Sequence, residues 1–264
     1  MHTVNKLRHH LRRFKFIRTI YQLSVPLGRF FVFRPIALMQ SYLLFYKHYQ
    51  QLKKTTSPDQ KIYSWLFCPC LFDNTEQTPV DAVYFYQDTW AAKKIYEIKP
   101  QHHYDIGSSV KTVGIISQFV PTTMIDIRPI NLNLEGLSFQ KGSILELPFP
   151  DNSIESLSSL CVVEHIGLGR YGDPLDFWGS EKSITEIKRV LKPGGICLLS
   201  VPIDHENIIY FNAHRAFTRD YLLSLFANDL KLLEERYIYG AELMHEYTPE
   251  RGFGTGLFML RKER

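Results

Sequence analysis

Apolar and polar positions change rhythm near residue 100. From His102 on, short apolar runs alternate with stretches in which apolar residues recur three or four apart. HHYDI, TTMIDI, LSFQKG, SIESLSSLCVV, ICLLSVP, KLLEERYIYG and TGLFMLRK read as seven strands. Between them, Val113, Ile116 and Phe119 mark one helix, and Ile184, Ile187, Val190 and Leu191 mark a second over about 180–191. Tyr221, Leu222, Leu225 and Phe226 mark a third, with Thr218 as its cap. Lys192-Pro193-Gly194-Gly195 stops the second helix, because proline lacks the amide that a helix needs and glycine accepts the turn that follows. Strands alternating with helices imply an α/β fold with a mostly parallel sheet. Such sheets bind ligands beyond the carboxyl ends of their strands.

Upstream the pattern is helical. Residues 4–23 and 36–53 fit two helices separated by Pro26, Gly28 and Pro35. Leu7, Leu11, Phe14, Ile17 and Leu23 give the first a broadly apolar side, with Lys6, Arg13 and Lys15 among its polar positions. An aromatic-rich stretch follows, containing Trp65, Phe67, Tyr84, Phe85, Tyr86 and Trp90, and Asp88 through Ile95 reads as a helix leading into the main domain. The expected organisation is a basic helical extension over 1–60, a connecting segment over 61–100 and an α/β domain over 101–264.

Charge sharpens this division. The net charge of +4 conceals residues 1–64, in which 12 Lys/Arg face a single acid, Asp59, while the remainder carries an acidic excess. A nucleic-acid binder with a uniformly basic face would not look like this. The basic, partly apolar segment 1–53 suits either peripheral contact with an anionic membrane surface or packing on the protein body. Its longest apolar stretch, Pro35 to Tyr46, is interrupted by Gln40 and Ser41 and falls short of the ~20 residues a spanning helix needs. No cleavable signal is evident, since Arg18, Arg29 and Arg34 break the apolar runs. A cytoplasmic protein is expected, with peripheral membrane contact left open.

The rest of the composition, 45% hydrophobic and 22% charged, is that of a globular chain and excludes collagen-like and wholly disordered classes. Four cysteines in 264 residues are no disulfide framework and point to a reducing compartment. Cys161 and Cys197, in apolar runs, read as buried small hydrophobes. Cys68 and Cys70 have no second pair at finger-like spacing, so no metal site is expected.

The chemistry-bearing residues gather at predicted strand ends. In Asp105-Ile106-Gly107-Ser108-Ser109 the glycine lets the backbone turn sharply and approach a ligand. Asp126 ends the second strand, where a carboxylate can accept both ribose hydroxyls of an adenosine ligand. Ser143 and Ile144 end the third, and Glu164 and His165 the fourth; a histidine there can take a proton from a hydroxyl. The loop GLGRYGDPLDFWG offers Arg170, Tyr171 and Asp173. Asp204, His205, Asn212, His214 and Arg215 follow the fifth strand and are expected at the same mouth. Gly252-Phe253-Gly254-Thr255-Gly256 mimics a phosphate loop, but a strand rather than a helix follows it, so it reads as a turn.

The succession YDIGSS, MIDI, GSILELPFPDNSIESLSSLCVVEHI and EIKRVLKPGGICLLSVP resembles the class I S-adenosylmethionine-dependent methyltransferases over about residues 100–240. FYQDTWAAKK, EHIGLGRYGDPLD and FNAHR are similar, more narrowly, to a methyltransferase-like domain family of unknown function. The resemblance implies a Rossmann-like methyltransferase fold and S-adenosylmethionine as cofactor. It implies cofactor contacts from Asp105, Gly107, Ser108, Ser109, Asp126, Ile127, Ser143, Ile144 and Glu164. His165, His205 and Asp173 are the candidates to deprotonate or orient a polar acceptor, such as a small molecule or a saccharide hydroxyl. Two positions depart from the family pattern. Ser109 stands where a second glycine is common, and Ser143 stands where an acid commonly holds the adenine amino group. These departures keep open a second reading, a binding or scaffold module that retains the fold without catalysis.

Overall fold

The computed structural model describes residues 35–55, 57, 59–60, 62 and 67–263, and its residues group into two compact units divided between Pro79 and Val80. In the first unit, helix α1 (Pro35–Lys54) follows the expected 36–53 and ends on Lys53 and Lys54, cations placed well for a helix carboxyl terminus. Its residues Leu38, Met39, Tyr42, Leu43 and Tyr46 are exposed. The rings of Phe45 and Tyr49 lie edge-on to Phe67, at 5.3 and 4.8 Å. The helix expected over 4–23 lies outside the described residues. Among the described residues no helix is long and apolar enough to cross a membrane.

The second unit opens with α2 (Ala82–Ile98). Asp81 caps it by accepting the amides of Val83 and Tyr84 at 3.0 and 3.2 Å, and Lys99 ends it in a left-handed conformation. There follow β1 (His103–Ile106), α3 (Val110–Ile116), β2 (Thr122–Asp126), β3 (Leu137–Lys141), β4 (Ile154–Leu160), α4 (Gly179–Val190) and β5 (Leu191–Ile203). The chain continues through β6 (Ile208–Tyr210), β7 (His214–Ala216), α5 (Arg219–Phe226), β8 (Leu230–Tyr239), β9 (Glu242–Met244) and β10 (Gly254–Lys262).

The sheet runs β3-β2-β1-β4-β5-β10-β8-β9. Its first five strands are parallel, and β10 runs antiparallel to both β5 and β8. It has eight strands where the pattern gave seven. The added β9 is only three residues of an antiparallel hairpin on β8, too short for any periodicity to reveal. The small β6–β7 hairpin was hidden for the same reason. The glycine-rich run at 252–256 splits in two. Gly252 turns at φ +72°, but Gly254 and Gly256 lie inside β10, where an added Cβ would meet Ile238 O at 2.7 Å or the Phe258 ring at 2.5 Å.

Helices cover both faces of the sheet. On one, Ile184, Ile187 and Val190 of α4 and Leu222 and Phe226 of α5 join the main core. On the other, Trp90, Ala91 and Ile95 of α2 pack with Leu160, Leu198, Ile238 and Leu257. Trp90 Nε1 and Lys94 Nζ both reach Glu234, at 3.1 and 2.7 Å, and tie α2 to β8. Register then sets the site. Ile106 pairs with Ile125, Asp126 with Lys141 and Asp105 with Ser158, so the ends of β1, β2, β3 and β4 reach one edge of the sheet. The strand order reverses between β1 and β4, the position where open α/β sheets bind ligands.

Candidate active site

Gly107 leaves β1 at φ +67°, a conformation that costs a side-chain-bearing residue about 1–2 kcal/mol; a Cβ there would meet Val162 Cγ1 at 3.2 Å. Behind it Asp105 is fully buried. It accepts the Ser108 amide at 3.0 Å and the Ser158 hydroxyl, and burial pushes its pKa up to about 6. The chain of polar groups continues inward. His103 Nε2 lies 2.9 Å from Ser158 Oγ and its Nδ1 2.8 Å from Ser156 Oγ, and burial holds the ring neutral, with a pKa lowered to about 3. Ser108 Oγ accepts the Leu160 amide at 3.0 Å. Asp105 and Ser108 thus fasten the glycine turn to β4 from beneath, and Asp105 is not among the residues that line the two cavities above it.

Two cavities open above this turn. The first, about 340 Å³, lies between the ends of β1, β2 and β3, and Gly107, Asp126, Ile127, Ser143 and Ile144 are among its walls. Asp126 Oδ1 accepts the Arg128 amide at 2.8 Å, and the Arg128 guanidinium folds back onto the same carboxylate and over the Tyr171 ring, 4.8 Å from its centre. Ser143 Oγ accepts the Leu145 amide at 3.2 Å. The second cavity, about 520 Å³, is walled by Tyr84, Ser109, Glu164, Arg170, His214 and Phe253, among others. Gly107, Cys161, His165 and Tyr171 border both, so the two spaces adjoin.

The turn after β4 supplies the reactive side chains. Val163–His165 form one turn of 3₁₀ helix. His165 Nδ1 lies 2.6 Å from Ala213 O; a carbonyl only accepts, so Nδ1 carries the proton and Nε2 keeps its lone pair. Burial depresses the His165 pKa to about 4. Glu164 is 1% exposed and its Oε2 has no hydrogen-bond partner; burial pushes its pKa up to about 8. Cys161, expected as a buried hydrophobe, instead sits at φ +55° and its thiol reaches Gln87 Oε1 at 2.9 Å. Gln87, fully buried on α2, also accepts the Ser200 hydroxyl, and its neighbour Asp88 takes the Thr112 hydroxyl at 2.6 Å.

Other expected site residues fall elsewhere. Asp173 borders the first cavity, yet both its oxygens hold the loop's own backbone, the Gly167 amide at 2.6 Å and the Tyr171 amide at 3.3 Å. His205 lines neither cavity. It is half exposed and pairs with Asp204 at 2.5 Å and Glu206 at 3.5 Å. Arg215 is buried, not at the mouth, and donates to the carbonyls of Ile166, Asp176 and Phe177 and to Ser180 Oγ. Gln87 and Arg128 are not among the site residues expected from the sequence: Gln87 lies within FYQDTWAAKK, where only the folded chain shows that it meets Cys161 and Ser200, and Arg128 follows Asp126 without a motif of its own. Among the described residues no group of three or more His, Cys, Asp or Glu is placed to hold a metal ion.

With the geometry in place, comparison with known proteins locates the fold. Two solved structures superpose over about two thirds of this chain. The cyclase SpnF has a TM-score of 0.51, 15% identity and coverage of 67% of this chain and 81% of its own. A candidate sarcosine dimethylglycine methyltransferase from Galdieria sulphuraria has a TM-score of 0.51, 16% identity and coverage of 68% and 86%. The fold is the Rossmann-like fold of the class I methyltransferases. Residues 149–232 match a family model described as a Caenorhabditis protein of unknown function, DUF268. A Mycolicibacterium smegmatis protein named "Probable S-adenosylmethionine-dependent methyltransferase" is 32% identical over 66 residues, 25% of this chain and 21% of that protein. The matched stretch therefore spans about a fifth of that relative's length.

The site's own features fit the cofactor such proteins use. An adenosine needs a carboxylate for its ribose and an apolar slot for its base, and Asp126, Ile127 and Ile144 wall one cavity in that way. A side chain at Gly107 would crowd Val162, where the two cavities adjoin. Glu164, buried and with one carboxylate oxygen lacking a partner, is among the residues that border the second cavity.

Proposed function

We propose that the chain transfers a methyl group from S-adenosylmethionine to a hydroxyl of a small polar acceptor. The observation that carries this reading is the pair of adjoining cavities at the switch point, one suited to a nucleoside and the other to an acceptor. Asp126 would hold the ribose, Ile127, Ser143 and Ile144 the adenine, and the turn Gly107–Ser109 would let the cofactor's tail pass into the second cavity. The bound cofactor supplies an activated methyl group. His165 Nε2 would orient the hydroxyl and take the proton it sheds on methylation, handing that proton on to solvent because burial holds the ring's pKa at about 4, and most of the acceleration comes from proximity and alignment. Tyr84, Tyr171 and Phe253 give the second cavity aromatic walls, and Arg170 and His214 give it polar ones. That mixture suits a saccharide, whose ring has apolar faces and a hydroxylated rim. Asp173 acts by shaping the loop, and His205 has no part in the chemistry.

Calorimetry with S-adenosylhomocysteine tests the reading. The wild-type chain should bind it, and Asp126→Ala should weaken binding roughly tenfold or more, the loss of a charge-assisted hydrogen bond worth about 1.5–3 kcal/mol. No binding at millimolar ligand would favour a scaffold module that keeps the fold alone.

We further propose that residues 1–53 attach reversibly to anionic membrane surfaces. The basic excess of residues 1–64 and the exposed Leu38, Met39, Leu43 and Tyr46 of α1 support it. Each Lys or Arg near such a surface contributes on the order of 1 kcal/mol, screened by salt. The full chain should co-sediment with phosphatidylserine-containing vesicles at low salt and release at high salt, and neutral vesicles should leave it in solution. A full chain that ignores anionic vesicles would end this proposal.

A further inference from the structure

We propose that Glu164 is the counter-ion of the cofactor's sulfonium, so that the site tells S-adenosylmethionine from S-adenosylhomocysteine by charge. The inference rests on the cofactor assignment above and adds to it a role for one buried oxygen. Glu164 is 1% exposed, borders the second cavity, and leaves Oε2 without a partner. A carboxylate buried in this way is costly unless it is paired or protonated.

No surrounding element provides the pairing cation. On its own turn, His165 lies 3.8 Å from Glu164 Oε1, but through Nε2, the nitrogen that carries no proton. At the end of β4, the Cys161 thiol reaches Gln87 Oε1 and also approaches the Glu164 carboxyl, but it is a weak, uncharged donor and leaves Oε2 without a partner. Across the cavity, α2 brings the phenol of Tyr84, and Asp88 of the same helix is a further anion engaged with Thr112. From β7, His214 has a pKa lowered by burial and is neutral at pH 7. Arg170 is the single cation nearby among the described residues. It is exposed, donates to Ala213 O at 3.0 Å and leans on the Tyr171 ring, 5.1 Å from its centre. Burial accordingly pushes the carboxyl up to about 8, and it is protonated at neutral pH when the site stands alone.

The form of the vacant valence selects the ligand. An ammonium brings three donors and needs several acceptors. Here Oε2 is the one buried side-chain acceptor of this cavity, among the described residues, that lacks a partner. A sulfonium carries full positive charge and no N–H or O–H, so one bare carboxylate oxygen beside aromatic walls satisfies it. Binding the sulfonium then drives the proton off Glu164. The neutral thioether product meets a carboxyl that keeps its proton, and the same charge difference favours its release.

Proton linkage reads this directly. Calorimetry at pH 7 in two buffers of different ionisation heat should show S-adenosylmethionine releasing about one proton more than S-adenosylhomocysteine. Both ligands carry the same α-amino group, so its titration cancels in the comparison. Between pH 6 and 7.5 the ratio of the two affinities should shift toward S-adenosylmethionine, approaching tenfold per pH unit. Glu164→Gln should abolish the proton difference and weaken S-adenosylmethionine about tenfold, leaving S-adenosylhomocysteine within about twofold. Equal proton release by the two ligands in the wild-type chain would overturn the inference and assign Glu164 to a group they share, leaving the cofactor reading intact. Binding of neither ligand would overturn both. The wild-type comparison decides the matter even if the variant fails to fold.

Discussion

Replacing Arg215 with methionine is expected to destabilise the second unit by about 3–5 kcal/mol. The guanidinium is 5% exposed and donates to three backbone carbonyls, those of Ile166, Asp176 and Phe177, and to Ser180 Oγ. These acceptors lie at the two ends of the loop that carries Tyr171 and Asp173 and at the start of α4. Methionine fills much of the volume but donates nothing, so three carbonyls lose a strong donor in a place water reaches poorly. In a unit of this size the loss corresponds to a fall in melting temperature of roughly 10 °C. Lysine should restore little, because its compact ammonium cannot fan out to carbonyls on separate strands of chain as a planar fork does. Thermal unfolding of the three proteins measures the effect. A loss below about 1 kcal/mol for the methionine variant would mean that the loop stands on Asp173 and the glycine turns instead.

The second large effect belongs to His165. His165→Gln is expected to lower turnover about 10²-fold and to change S-adenosylhomocysteine affinity no more than about threefold. The figure sits at the lower end of the range for acid–base groups for a stated reason. Burial lowers the His165 pKa to about 4, so the ring is always ready to accept but has little appetite for a full proton. Its service is mainly to hold the hydroxyl in line. The sign of the pH dependence follows: this group is neutral above about pH 5, and the histidine's own limb in the rate profile falls near pH 4. Transfer of a radiolabelled methyl group to a panel of saccharides is the measurement. Undiminished turnover in the variant would return His165 to a structural role.

Much of the fold could be read in advance because its signals are local. Ile184, Ile187 and Val190 repeat at helical spacing and lie buried on α4, and the Lys-Pro-Gly-Gly run ends that helix at Val190. What escaped, β9 and the β6–β7 hairpin, consists of three-residue strands that pair only through the folded chain. The site divides in the same way. Gly107, Asp126, Ser143 and His165 stand at strand ends, where position along a strand predicts position in space. His205 follows β5 just as closely, yet it lines neither cavity and stands half exposed, paired with the buried Asp204 and the exposed Glu206. Asp105, expected as a cofactor contact, is fully buried beneath the turn, where it accepts the Ser108 amide, while Gly107 borders both cavities.

Helix α2 divides its duties by turns. Its first turn, with Val83 and Tyr84, borders the second cavity, held by the Asp81 cap and by Val83 packing at the edge of the core. Gln87 and Asp88, one turn on, hold Cys161, Ser200 and Thr112, and beyond them Trp90, Ala91 and Ile95 are locked into the core. On the proposed reading, selectivity for the acceptor can drift at the helix's opening residues while the polar network and the core behind them stay fixed. On that reading one helix joins a variable lip to a fixed frame.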